Sequence, residues 1–397
     1  MPLACRMAAA ISRRGGRAMS GGDGPIGFVV TAAAGGVSGF LLKRFVGWML
    51  AELDAAVAAE EGQPVPVAQP TGRLSNWPVA VAVPLAIGLW WWEVTSAGLL
   101  PAAPSVEAMQ RVAGHLVFFW LLAAAAWVDI RHRVIPDIIT TPGVVAGLVG
   151  TWLLPSLLLP VLTLMPRSFA AAEASADLLT AWGGLRAGGP PLSPLGPVVA
   201  VVLFTLWWAV CTAPFFLAAE RSAAGGMAWL GNWLREPRSL LLVTGLPLLL
   251  LAARGGGLRF VAVESSLIGL AVSAGLVWLT RSGASLALGK EAMGMGDVTL
   301  MAMVGAWLGW QPAVLTFFLA TFIGLGHGLF QLLRHRENEL PYGPSLCLAA
   351  VIVTIAWRPI WQLTGPFFAD PLQLGLVLGL VVVLTAVTLF IWQRLRG

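Results

Sequence analysis

Cysteine is nearly absent: Cys5, Cys211 and Cys347 stand far apart in 397 residues, and no Cys-x-x-Cys occurs. That pattern supports neither a zinc knuckle nor a disulfide framework. Charge is scarce too. Only 11% of residues are Asp, Glu, Lys or Arg, against about a quarter in soluble domains. The net charge of +5 is small; in such a chain it belongs to loops that set topology, and no nucleic-acid partner is expected. There is one tyrosine against 19 tryptophans, so tryptophan supplies the interfacial aromatics. Alternating strand patterns are missing. What is present is hydrophobicity, 58% of the chain, in recurring runs of about 20 apolar residues. These features predict an all-α, polytopic transmembrane helical bundle in the lipid bilayer, with about 9–11 spans.

In order, residues 1–24 form an Arg-containing N-terminal tail, with Met19 a second plausible start. Residues 25–108 hold a first span at 26–42, an amphipathic stretch at 44–60, a proline-containing linker at 62–76 and a second span at 77–97. Residues 109–160 hold a third span, 109–128, that ends at Asp129, and a fourth, 138–159. Residues 161–260 hold a loop with one short helix expected at 170–182, then spans at 196–218 and 239–253. Residues 261–397 hold spans at 262–280, 298–308, 312–333, 343–357 and 372–392.

The basic residues Lys43/Arg44, Arg131/Arg133, Arg235/Arg238, Arg281/Lys290, Arg334/Arg336 and Arg394/Arg396 fall on one side of this arrangement. That side is expected to be cytoplasmic; the basic tail is the exception to the pattern. Asp129 and Asp297 then both lie at the cytoplasmic boundary of the membrane.

Two stretches stand out. Asp129-Ile-Arg-His-Arg-Val-Ile-Pro-Asp137 is a polar turn, and Lys290-Glu-Ala-Met-Gly-Met-Gly-Asp297 separates two apolar segments. A carboxylate in a membrane segment reads as functional by default; it also reads as a helix cap. Gly294 and Gly296 lack side chains, so a backbone or a substrate can approach closely. Two carboxylates at one depth can share a proton, the ionised one drawing a proton from water while the protonated one polarises a carbonyl. The bland alternative is a pair of helix-end aspartates bonded to Arg131 or Lys290. His132 reads as a loop histidine, with no second metal ligand beside it.

Taken together, the Asp129 turn, the downstream Gly-x-Gly-Asp297 and Pro341-Tyr-Gly-Pro344 resemble the type IV prepilin peptidases, a family of intramembrane Gly-x-Gly-Asp aspartic proteases. Residues 301–311 resemble the family's segment after the second aspartate, and residues 36–42 faintly resemble its first span. The likeness covers residues 110–150 and 263–357.

It implies Asp129 and Asp297 as the catalytic dyad and Gly294 and Gly296 as shapers of the substrate approach. Lys290 and Glu291 are implied as binders of charged substrate groups, or as solvated loop residues. Asp137 matches a recurring acid, but its preferred role is to cap the next span. The implied partner is a prepilin or pseudopilin precursor with a basic leader, cut after a glycine at the cytoplasmic face of the inner membrane. No metal or organic cofactor is required.

Three departures matter. Residues 43–76 carry no paired Cys-x-x-Cys, so the N-methyltransferase activity of many members is not expected. The stretch 161–260 reads as an insertion. Thr299 stands where many members have lysine. A proton-coupled transporter with two intramembrane aspartates and a non-catalytic pilin-assembly homologue are the rival readings. Oligomeric state is not legible.

Overall fold

The computed structural model describes residues 84–91, 105–159, 197–209, 237–255, 257–289, 293–333 and 342–368, with isolated positions elsewhere. The tail, the proline-containing linker and most of the first and last expected spans lie outside these residues. The chain divides into two compact units, Met1–Val128 and Asp129–Gly397.

The described elements are helical, as the composition predicts. They are α1 (Ser105–His132), α2 (Asp137–Leu153), α3 (Pro197–Ala209), α4 (Pro237–Gly255), α5 (Gly257–Leu288), α6 (Met295–Leu308), α7 (Trp310–Leu333), α8 (Gly343–Ile355) and α9 (Trp357–Thr364). The exception is a two-residue antiparallel pair, Val161–Leu162 with Ala171–Ala172. Its second strand, Ala171–Ala172, falls at the start of the stretch expected as a short helix at 170–182.

Among the described residues, two helices are long and apolar enough to cross a membrane, Gln110–His132 and Arg259–Leu288. A third candidate is the pair α8 and α9, bent by 89° at Ala356. These apolar helices make the protein an integral membrane protein. Several expected boundaries move. α1 runs through Asp129 to His132 and stops where Arg133 adopts a left-handed φ of 56°. α5 was expected to end at Thr280; it runs on through Gly283 to Leu288 and stops at Gly289, whose left-handed φ of 64° turns the chain out of the helix.

In the first unit, Trp90 stands edge-on to His115 at 5.1 Å, both fully buried.

The second unit is built around α6. Its sequence from Val298 to Leu308 is apolar on every side, which marks a helix enclosed by others. Every residue from Asp297 to Leu308 except Thr299 is buried. With 14 residues it is about 21 Å long, short of the roughly 30 Å of a bilayer core. It packs on α5 and α2, and meets α7 at Gly309, whose φ is 91°.

Polar groups fix these contacts. Ser266 Oγ donates to Ala306 O (2.5 Å) and Ser273 Oγ to Met301 O (2.7 Å). Between them Gly269 and Gly305 bring the α5 and α6 backbones into contact. Thr140 donates to Thr299 (3.1 Å), and Trp307 Nε1 to Gly143 O (2.9 Å). Trp307→Phe leaves the buried Gly143 carbonyl without this donor. The expected cost is about 1–3 kcal/mol, read as a lower midpoint in thermal unfolding of the detergent-solubilised protein.

Candidate active site

The N-terminal end of α6 brings together three stretches that are remote in sequence. Gly294 is the N-cap of α6, and Asp297 is its third helical residue. The Asp297 carboxylate reaches back to accept the Gly294 N–H. This is half of a capping box, which satisfies one of the free donors at a helix start. The cap reading of Asp297 is therefore partly right, though the residue is not itself the N-cap.

Asp129 lies in the last turn of α1 and accepts the N–H of Gly343, the first residue of α8. Each aspartate thus answers a free N–H at the start of a helix. Both are buried, Asp129 at 5% and Asp297 at 8% exposed. They lie close enough for each charge to act on the other.

Ile135 lies between Gly296 and Gly343. A Cβ at Gly296 would sit 2.8 Å from Ile135 Cβ and 3.0 Å from Ile135 O. A Cβ at Gly343 would meet the Asp129 carboxylate and lie 2.9 Å from Ile135 Cδ1. So Gly296 admits another backbone, as its lack of a side chain allows, and that backbone is the chain's own. Gly294 is exposed, and Asp297 Oδ2 is the nearest side-chain atom to its would-be Cβ, at 3.8 Å.

Arg281, a half-buried residue near the end of α5, holds the approach to Asp297. Its Nε donates to Met293 O (2.9 Å), and a terminal nitrogen pairs with Glu291 Oε1 (2.9 Å). Glu291 is 82% exposed. Lys290 lies outside the described residues. Asp137 is exposed and opens α2 after Pro136, in the first turn where an acid suits the helix dipole.

Tyr342, the residue before Gly343, lies 3.2 Å from Thr321 Oγ1 and 3.4 Å from Phe317 O. Burial pushes its phenol up to about 12; the Thr321 hydrogen bond opposes this and Asp297 reinforces it. It remains a neutral hydrogen-bonding group at any working pH.

Sequence reading missed the parts played by Ile135, Arg281 and the Gly343 N–H. The Pro-x-Gly-Pro turn was visible as a pattern and could have pointed to Gly343. Nothing in the local sequence distinguishes Ile135 or Arg281. Among the described residues, no group of three His, Cys, Asp or Glu side chains comes together as a metal site.

Residues 237–329 match the type IV leader peptidase family. This stretch contains Asp297 and stops short of Gly343; Asp129 lies before it. A prepilin leader peptidase/N-methyltransferase of Aeromonas hydrophila is 37% identical over 111 residues, 27% of this chain and 38% of that protein. The protein of the same name from Pseudomonas aeruginosa is 38% identical over 99 residues, 24% of this chain and 34% of the relative. The one from Escherichia coli K12 is 34% identical over 92 residues, 23% and 41%. The matches thus span about two fifths of the relatives' length. No solved structure matches. Over the stretch they cover, the comparisons bear out the resemblance to the prepilin peptidases.

Proposed function

We propose that this protein, whose residues 237–329 match the type IV leader peptidase family, is a membrane aspartic endopeptidase. It removes the basic leader of a prepilin-like or pseudopilin precursor. The observation that carries the reading is the pair Asp129 and Asp297: buried at one end of the bundle, each held by a backbone N–H, each within reach of the other's charge.

Two such carboxylates share one proton. The ionised one accepts a proton from the attacking water. The protonated one donates a hydrogen bond to the scissile carbonyl as its oxygen gains charge. Proton return to the leaving nitrogen completes the cut. Backbone anchors at Gly294 and Gly343 keep both carboxylates in register, which is the larger part of what a dyad needs from its protein. The basic loops support a site on the cytoplasmic face of the inner membrane. The peptidase half of the relatives' name is the part we carry over, because residues 43–76 lack paired Cys-x-x-Cys motifs.

The test is cleavage of a prepilin-like precursor in membranes by the wild-type chain, with mass spectrometry of the new N-terminus. A single cut between leader and apolar helix is expected, without added methyl. Intact precursor with well-folded enzyme, across several precursors, would overturn the reading.

Arg281 supplies a further prediction. Arg281→Gln frees the Met293 carbonyl and loosens the approach to Asp297, and kcat is expected to fall roughly tenfold, about 1.4 kcal/mol. Glu291→Gln removes only an exposed ion pair, worth at most about 1 kcal/mol, and should keep activity within a few-fold of wild type. Equal losses in both variants would show that the ion pair, and not the backbone bond, holds the loop.

A further inference from the structure

Seventeen residues before Arg281, the buried face of α5 carries polar groups that the aspartate site does not use. Glu264 is 4% exposed and Ser265 3%; Gln311, at the start of α7, is 1% exposed. Along the helix axis, Glu264 lies about 25 Å from Arg281, so this is a separate place in the bundle.

Among the described residues, no group bonds Glu264 Oε2, Ser265 Oγ, or either polar atom of the Gln311 amide. Neighbouring hydroxyls behave otherwise. Those of Ser266, Ser273, Thr316 and Thr354 all donate to backbone carbonyls. Buried polar atoms are nearly always satisfied, so four open ones in the same core call for a ligand.

Register brings the three residues to one corner. Gly269 packs against Gly305, and its would-be Cβ lies 2.9 Å from the Gly309 carbonyl carbon. Ser265 is one turn before Gly269 on α5, and Gln311 is two residues past Gly309. α5 packs against α7 as well as α6.

The charge needs an answer too. Glu264 has no ion pair among the described residues. Arg259, on the same helix, is exposed and stands 5.8 Å from the Trp152 ring centroid. A bare carboxylate in the apolar interior is prohibitively costly, so a unit positive charge must accompany it or a proton must neutralise it.

We propose that Glu264, Ser265 and Gln311 form a buried site for one small monovalent cation of the sodium class. Carboxylate, hydroxyl and amide oxygens are the hard donors such an ion takes. One carboxylate balances one positive charge. The Gln311 amide nitrogen is left to donate to a water that stays on the ion. The occupied site ties α5 to the start of α7 across the α6–α7 corner. This proposal is independent of the protease reading.

The experiment is labelling of the full chain in membranes with dicyclohexylcarbodiimide, which modifies protonated carboxyls in apolar surroundings. Mass spectrometry separates the Glu264 peptide from those of Asp129 and Asp297. Labelling runs in sodium chloride and in choline chloride at equal ionic strength and pH. Sodium is expected to suppress labelling at Glu264 about tenfold once it reaches ten times its Kd, while Gln311→Ala loses most of that protection. Equal labelling of wild type in the two salts means that a proton alone neutralises Glu264, and overturns the proposal. Absence of labelling in both salts overturns it equally, since the carboxyl then exchanges with neither ion. The wild-type comparison needs no variant to fold.

Discussion

Asp129→Asn and Asp297→Asn should each lower precursor cleavage by roughly 100- to 10,000-fold, the usual worth of a positioned acid or base, with both proteins still inserted and folded. Asparagine is the informative replacement. Its carbonyl oxygen can still accept the Gly343 or Gly294 N–H that each carboxylate accepts now. The starts of α6 and α8 therefore stay capped, and what is lost is the shared proton. The double variant should be little worse than either single one, because groups that act as a unit are strongly non-additive. Cleavage by membrane vesicles, normalised to the amount of folded enzyme, reads all three. Retention of a tenth or more of wild-type activity in either single variant would falsify the two-carboxylate mechanism. Gly343→Ala belongs with them: its methyl would meet the Asp129 carboxylate and the Ile135 side chain. A loss comparable to Asp129→Asn is expected there, although no ionisable group has changed.

The aspartates were legible because a carboxylate at the edge of an apolar run is expensive and therefore conspicuous. Loop charges gave the expectation that both lie at one face. The helical class followed from composition. What could not be read were the contacts that fix the site. Ile135 is an ordinary apolar residue in a turn, and only the fold shows it lodged between Gly296 and Gly343. Arg281 looked like a loop charge, yet α5 runs past it for two more turns, so its side chain reaches forward to Met293 from a rigid helix. The 298–308 segment read as a short span. Its shortness is the clue to its place: too short to cross alone and apolar all round, it is the enclosed helix on which the others pack.

That enclosure makes the α5–α6 crossing the most sensitive point of the fold. Gly269 and Gly305 face each other there, with the Ser273 hydroxyl beside Gly305. A methyl at Gly305 would land on the Gly269 carbonyl and on Ser273 Oγ, which already bonds Met301 O across the same interface (2.7 Å). Neither atom yields freely: one is backbone, and moving the other breaks the hydrogen bond that Ser273 makes to Met301 O across the interface. The helices would have to part. Small residues are what permit such close approach in a membrane bundle. Gly305→Ala is expected to destabilise by about 1–3 kcal/mol net of the helix propensity that alanine adds, and Gly305→Val by more. Gly275→Ala is the matched control on α5, since nothing lies within 4 Å of its would-be Cβ; it should be neutral or slightly stabilising, by about 0.4–1 kcal/mol. Thermal unfolding in detergent separates the two. A Gly305→Ala protein that melts with wild type would mean that the two backbones do not meet, and the frame that carries Asp297 would have to be redrawn.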